Sequence, residues 1–281
     1  MIQIGQTQEL EIKSLAPQGA YLGPIQDSKF RTIEVLLPKK ELPPNSSKGD
    51  TLEVFVYKDS EDRPIATTQK PLAQAGDFAA LKVLDRNRMG AFLDWGLPKD
   101  LLLPFKEQRA TLHVGKKAVV YVYLDEISNR VIATGSYQKH LSSELANYAT
   151  EERVELLIAE RTPMGYKAII NQTHQGLLLH SNIVTPVEIG DTLTGYAQKV
   201  HPDGKIDLLQ QPTGEARTEL KREDLLLLLK AKGGNLPLHD KSSPEAIKSH
   251  LGVSKKTFKK LIGALYKENL IVITEDGIQL I

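Results

Sequence analysis

The 281-residue chain contains no cysteine. That excludes disulfides, thiolate zinc sites and a thiol nucleophile, and it suits a reducing compartment. Long apolar runs are also missing. The longest, Leu225 to Leu229, is far too short to span a bilayer, so no membrane partner is expected. Met1 to Leu10 is polar and has no apolar segment of signal-peptide length, and the sequence reads as cytoplasmic. Charge of one sign is not in excess. Lys and Arg number 36 against 35 Asp and Glu, a net charge of +1. Nothing global therefore announces nucleic acid, and any such binding needs local patches. Enzyme signatures are absent: no Gly-x-x-x-x-Gly-Lys-Ser/Thr loop, no Gly-x-Ser-x-Gly elbow, no His-Glu-x-x-His pair. Asp85 and Asp94 have no spacing that sets them over a cleft. His174 and His180 lack a third ligand for a shared metal. The expectation is a non-enzyme without metal or cofactor.

What is present is a unit of about 70 residues repeated three times. Its glycines stand at Gly19, Gly90 and Gly165, spacings of 71 and 75 (90−19 and 165−90). The middle copy is clearest, with Met89-Gly90-Ala91-Phe92-Leu93-Asp94, then Leu101 to Lys106, then His113-Val114-Gly115-Lys116-Lys117 before a long strand, and Asn129 to Thr134 as a return strand. The first copy has Gln18 to Leu22, Val35 to Lys40, Lys48-Gly49-Asp50, Thr51 to Tyr57 and Arg63 to Thr67. The third has Met164 to Ala168, Leu177 to Ser181, Ile189-Gly190-Asp191 and Gly204 to Leu208. Short β-branched or alternating runs between Gly, Pro, Asn and Asp clusters mark small all-β barrels over residues 1–70, 71–137 and 138–212. Tyr137 to Ala149 reads as a short helix leading into the third unit, and Gln210 to Arg217 as a linker.

The pattern then changes period. Arg222 to Lys232 is apolar all round its middle and reads as a buried helix ended by Gly233-Gly234. Ser243-Pro244-Glu245 starts a second helix that ends near Leu251-Gly252. Ser254 caps a third, whose apolar stripe is Phe258, Leu261, Ile262, Leu265 and Tyr266. Asp276-Gly277 between two apolar runs marks a hairpin. That order, over residues 218–281, is a winged helix-turn-helix.

Three constellations carry possible chemistry. Tyr21 and Phe92 hold the same place in their units. The third unit has Lys167 there, with Tyr166 one residue earlier. On the outer face such rings stack bases; pointing inward they are core, and period alone leaves both open. Next come Pro38-Lys39-Lys40, Pro104-Phe105-Lys106 and His180-Ser181-Asn182, at strand ends beside the aromatic position. Lys39, Lys40 and Lys106 are candidate phosphate contacts, and His180 a base contact. Arg63, Arg130 and Lys205 recur beside the return strand. The third is Lys255, Lys256, Lys259 and Lys260 on the helix that would enter a groove. Lysine is a point charge and suits phosphate better than base readout. No Arg, Asn or Gln stands between 254 and 260.

The middle unit resembles the ribosomal S1-type RNA-binding domain, an oligonucleotide-binding barrel, through Met89 to Asp94, Val114-Gly115-Lys116 and Asn129 to Ile132. Three such units before a winged helix resemble the bacterial conserved virulence factor B (YitL-like) family over nearly the whole chain. Here Met89 stands where the family often has a second aromatic. Pro38 and Pro104 stand near the histidine position, which only His180 keeps. The resemblance implies a mostly β protein of three S1-like barrels and an α/β winged helix. It further implies single-stranded RNA as partner and post-transcriptional regulation of gene expression. Candidate RNA contacts are Tyr21, Lys39, Lys40, Arg63, Phe92, Phe105, Lys106, Arg130, Tyr166, Lys167, His180 and the four lysines. DNA or ribosome-associated RNA are alternative partners. The rivals are a DNA-binding regulator acting through the winged helix and a protein-interaction scaffold.

Overall fold

The computed structural model describes residues 1–25 and 34–281, with the backbone alone at 215, 216 and 220. The first barrel comprises β1 (Thr7–Ala16), β2 (Gly19–Gly23), β3 (Val35–Pro38), β4 (Thr51–Lys58) and β5 (Pro64–Thr67). The second has β6 (Phe78–Arg86), β7 (Gly90–Asp94), β8 (Leu101–Pro104), β9 (Lys117–Asp125) and β10 (Arg130–Thr134). The third has β11 (Glu152–Thr162), β12 (Gly165–Ile170), β13 (His174–Leu179), β14 (Thr192–Val200) and β15 (Ile206–Leu209). The first and third close in the order β1-β2-β3-β5-β4 and its equivalent. The second keeps that order, but β8 and β10 run side by side without a registered ladder.

Each opening strand carries a bulge at the same place, between Ile12 and Ser14, Val83 and Asp85, and Ile158 and Glu160. A bulge bends its strand, letting one strand serve both halves of a small barrel. The repeated glycines have a physical cause. A Cβ on Gly19, Gly90 or Gly165 would sit 2.0, 2.2 or 2.1 Å from the carbonyl oxygen of Leu37, Leu103 or Leu178. Only glycine admits so close a backbone. The cores are small and aliphatic; Leu10, Ile12, Leu22, Leu37, Val54 and Val56 fill the first.

The barrels are docked, not strung. Val54 and Val56 point into the first core, while Phe55 and Tyr57 on the opposite face are buried as well. They meet Trp95 of the second barrel edge-on, at 5.6 and 6.2 Å between ring centres. Such aromatic pairs contribute about 0.5–1.5 kcal/mol beyond burial. Around them, the Lys99 ammonium donates to the carbonyls of Lys58 and Asp59, and Arg130 pairs with Asp62. Between the second and third barrels Phe78, Tyr137, Leu157, Ala159 and Ile169 form a separate buried cluster.

The expected helix over Tyr137 to Ala149 is corrected. Only Tyr137–His140 turns, as a 3-10 turn, and Leu141 is already extended. Tyr137 is claimed by the junction between barrels, and the Ser142 amide donates to the Thr173 carbonyl, so the segment lies along the third barrel as a strap.

The last domain comprises α1 (Gly214–Ala231), β16 (Asn235–Leu236), α2 (Pro244–Leu251), α3 (Lys255–Lys267), β17 (Ile271–Ile273) and β18 (Ile278–Leu280), a winged helix. Ser243 and Ser254 accept hydrogen bonds from the amides of Ala246 and Thr257, as helix caps do. Three expectations are corrected here. α1 begins at Gly214, inside the stretch read as linker. α1 buries one side only: Leu225 and Leu229, one turn apart, are buried and Leu227 is 63% exposed. Tyr266 is 55% exposed and stands outside the stripe of Phe258, Leu261, Ile262 and Leu265.

Candidate nucleic-acid interface

The question of the repeated aromatic is decided by its neighbours. In β2, Ala20 and Leu22 are fully buried, and in β7 so are Ala91 and Leu93. Side chains alternate along a strand, so Tyr21 and Phe92 stand on the outer face, where both are half-buried. Across the ladder each meets a leucine, Leu36 and Leu102. Leu36 in turn faces Ile65, which packs against the second barrel. The result is an aromatic ring on a short apolar strip in each of two barrels. The Gln18 amide donates to the Tyr21 hydroxyl at 2.9 Å and steadies that ring.

Each third strand runs into a 3-10 turn: Lys39–Glu41, Phe105–Glu107 and His180–Asn182. The first amide of each turn donates to the loop before the second strand, from Lys39 to Gln18, from Phe105 to Met89 and from His180 to Met164, at 2.9 to 3.0 Å. His180 therefore corresponds to Lys39 and Phe105. Pro38 and Pro104 correspond to Leu179, which corrects the alignment of prolines with the histidine. In the second barrel this brings two exposed apolar side chains to one edge, Phe105 at 66% and Met89 at 58%. The turn is anchored from below: Glu107 accepts from the buried Thr134 hydroxyl at 2.5 Å, and Glu41 from Thr67 likewise.

The cations divide into two classes. Those beside the return strands are paired. Arg63 holds Asp59 at 2.7 Å and Glu61 at 2.9 Å, Arg130 holds Asp62, and Lys205 holds Asp203 at 2.6 Å. The Arg130 hydrogen bond keeps the Asp62 carboxyl below the usual carboxylate range. Arg63 and Arg130 are thus engaged by carboxylates, and Arg130 ties two barrels together. Lys39, Lys40 and Lys106 are exposed and have no ion pair among the described residues.

The third barrel differs. Lys167 sits in the register of Tyr21 and Phe92, opposite Leu177, and pairs with Glu160 at 3.0 Å. Next along that face is Asp207, 2.8 Å from His201. Charged pairs thus stand where the other barrels carry an apolar strip. Tyr166 is in the register of Ala20 and Ala91. Its half-buried ring rests on the third core and meets His180 edge-on at 5.8 Å. It stands one residue before the stacking register, as its spacing from Lys167 in the sequence has it. His174 and His180 stand six residues of extended strand apart, about 20 Å, so they share no metal. His174 instead meets the Tyr148 hydroxyl at 3.0 Å.

On the winged helix, Lys256, Lys259 and Lys260 are exposed, Lys255 is half-buried and donates to the Lys241 carbonyl at 3.3 Å, and none has an ion pair among the described residues. Lys255–Lys259 and Lys256–Lys260 are spaced one turn apart, an arrangement that costs about 0.2–0.5 kcal/mol per pair. They also sit at the positive end of the helix dipole. An anion at that end relieves both.

Residues that sequence reading passed over are Leu36 and Leu102, and Met89 was noted there only as a departure from the family pattern. The signal for the leucines was present: three apolar residues in a strand put the middle one on the other face.

Among the described residues, no group of three or more His, Asp or Glu is placed to hold a metal, and no helix is long and apolar enough to cross a membrane. The S1 domain family matches residues 4–69 and 75–135, and the CvfB-like winged helix domain matches residues 223–280. The chain is 28% identical over 259 residues to the uncharacterized protein YitL of Bacillus subtilis, covering 86% of this chain and 84% of that one. It is 27% identical over 247 residues to conserved virulence factor B of Staphylococcus saprophyticus, covering 83% and 80%. A crystal structure from Streptococcus pneumoniae, described as a multidomain protein with nucleic acid binding domains, aligns over 99% of this chain and 98% of that one. Its identity is 22% and its TM-score 0.42, a likeness too loose to bear on function. S1 domains are nucleic-acid-binding modules, and nucleic-acid binding is the activity they support here.

Proposed function

Since this chain belongs to the conserved virulence factor B (YitL-like) family, we propose that it binds single-stranded RNA with little sequence preference. In this reading it is a non-catalytic cytoplasmic protein of post-transcriptional regulation, the role the family resemblance implies. The observation that carries the proposal is the pair of outward-facing rings, Tyr21 and Phe92, each on an apolar strip beside lysines that have no ion pair among the described residues. Stacking on such a ring contributes about 1–3 kcal/mol per base and tolerates any base. Lys39, Lys40 and Lys106 supply phosphate contacts, and the four lysines of α3 widen the footprint. Because the first two barrels are docked through Phe55, Tyr57 and Trp95, their rings are presented in a fixed relation. Preorganisation of that kind reduces the ordering cost of binding.

Titration of the full-length protein with a fluorescein-labelled oligouridine at several salt concentrations tests the proposal. Each phosphate contact on a single strand contributes about 0.7 to the logarithmic salt slope, so seven lysines give a slope near −5. Absent binding, or binding flat with salt, refutes it. The lysines on α3, without an ion pair among the described residues, favour duplex DNA as a second reading. Stronger binding of a duplex DNA than of oligouridine by the same protein selects that reading.

A further inference from the structure

Between the second and third barrels lies a cleft of 430 Å³, within the range of small-ligand sites, about 300–1,000 Å³. Its apolar walls include Leu103, Leu112, Ala159 and Ile189. Its polar groups are unequal. The Lys117 ammonium is engaged by the Gly190 carbonyl at 3.2 Å and Glu160 by Lys167 at 3.0 Å. Two donors are left over. Tyr137 is 4% exposed, and among the described residues neither its hydroxyl nor the buried Gln138 amide nitrogen has a hydrogen-bond partner. The two lie near one another without reaching hydrogen-bond geometry, although the Gln138 amide acts to lower the tyrosine pKa. Arg109, on the rim, is exposed and has no carboxylate partner among the described residues.

Buried polar groups are normally satisfied, and an orphan calls for an explanation. Here two buried donors and a guanidinium belong to residues that line one half-apolar cleft, and a ligand that satisfied all three would offer a keto oxygen, an apolar ring face and an anionic group. Burial, and Glu160 after it, push the Tyr137 hydroxyl up to about 12, so it stays protonated and able to donate. The cleft adjoins the candidate interface along the chain. Gln108 and Arg109 follow directly on the exposed turn Phe105–Glu107.

We propose that this cleft is a nucleotide subsite, an inference that rests on the RNA-binding reading above. It takes one unstacked nucleotide of a strand that passes over Phe92 and Phe105. The keto oxygen of uracil or guanine accepts from the Tyr137 hydroxyl and the Gln138 amide, and a phosphate pairs with Arg109. Adenine has no keto oxygen to offer there.

The test compares wild type, Tyr137→Phe, Gln138→Ala and Phe92→Ala as full-length proteins. The probes are labelled oligouridine, labelled oligoadenylate and free UMP, with melting temperature measured in parallel. Tyr137→Phe keeps the ring in its junction, so folding is retained. The expected result is about a fivefold loss for oligouridine, the size of one lost neutral hydrogen bond, with no loss for oligoadenylate and no fall in melting temperature. Gln138→Ala follows the same base dependence. If UMP also binds, and Tyr137→Phe weakens it, the subsite takes free nucleotides as well as a strand; if only oligouridine responds, it belongs to the strand. Wild-type affinity for both in Tyr137→Phe and Gln138→Ala, or an equal loss for uridine and adenine oligomers, overturns the subsite. Phe92→Ala separates the two proposals. If it leaves oligouridine affinity intact, the RNA face fails, and the UMP arm alone then decides the cleft.

Discussion

Removing the Phe92 ring tests the stacking face with little collateral damage. Its neighbours along β7, Ala91 and Leu93, carry the packing of the second barrel and are fully buried, whereas Phe92 itself projects outward over Leu102. Phe92→Ala therefore strips the outer strip and leaves the core in place, and stability changes little. Binding is another matter. One lost stacking interaction is about 1–3 kcal/mol, which at about 1.4 kcal/mol per tenfold is roughly a 5- to 150-fold weaker complex. Stacking involves no counterion, so the salt slope stays as it was while the whole line shifts. Fluorescence anisotropy with labelled oligouridine at three salt concentrations reads both quantities. Tyr166→Ala is the internal control: that ring rests on the third core and on His180, out of the stacking register, and its loss weakens binding less. Equal losses in the two variants, or no loss in Phe92→Ala with an intact circular dichroism spectrum, refute the reasoning and leave the repeat as architecture alone.

Further outcomes follow from the same geometry. Replacing Lys255, Lys256, Lys259 and Lys260 by alanine lowers the magnitude of the salt slope by about 3, at roughly 0.7 per contact; an unchanged slope removes the winged helix from the interface. Gly90→Ala places a Cβ 2.2 Å from the Leu103 carbonyl oxygen. The β8 backbone must move, and urea denaturation should show a loss of about 3 kcal/mol or more, at the upper end for single substitutions. The Asp62–Arg130 pair makes the junction of the first two barrels acid-sensitive. Arg130 lowers the Asp62 pKa in the folded protein. Its stabilisation is therefore fully present above the unfolded value near 3.9 and is lost as pH falls through the lowered folded value. Trp95 fluorescence followed from pH 6 to pH 2 should change over that window in wild type, and Asp62→Asn should remove that component.

The three barrels and the winged helix were legible because their signals are local. Gly19, Gly90 and Gly165, the recurring Gly-Asp steps, the caps Ser243 and Ser254 and the Asp276-Gly277 turn all act within a few residues. The side on which Tyr21 and Phe92 stand was not legible. A strand has period two, so a slip of one residue exchanges its faces. The bulges at Lys13, Leu84 and Ala159, which set the register, have no sequence mark of their own. Long-range partners were hidden for another reason. Arg63 and Arg130 look alike in sequence, yet one folds back on Asp59 and the other reaches Asp62, 68 residues away. Phe55 and Tyr57 read as ordinary strand residues until Trp95 covers them. The third copy misled because His180 lines up with Lys39 and Phe105 only once the backbone bonds of the turns are seen.

Ultraviolet crosslinking of oligouridine to the full-length protein, with the joined peptides identified by mass spectrometry, tests the central claim most directly. Crosslinks at Tyr21, Phe92 and Phe105 are predicted, with few in the third barrel outside the cleft beside Tyr137. Crosslinks confined to the charged face of Lys167 and Asp207, or none on the first two barrels, contradict the account.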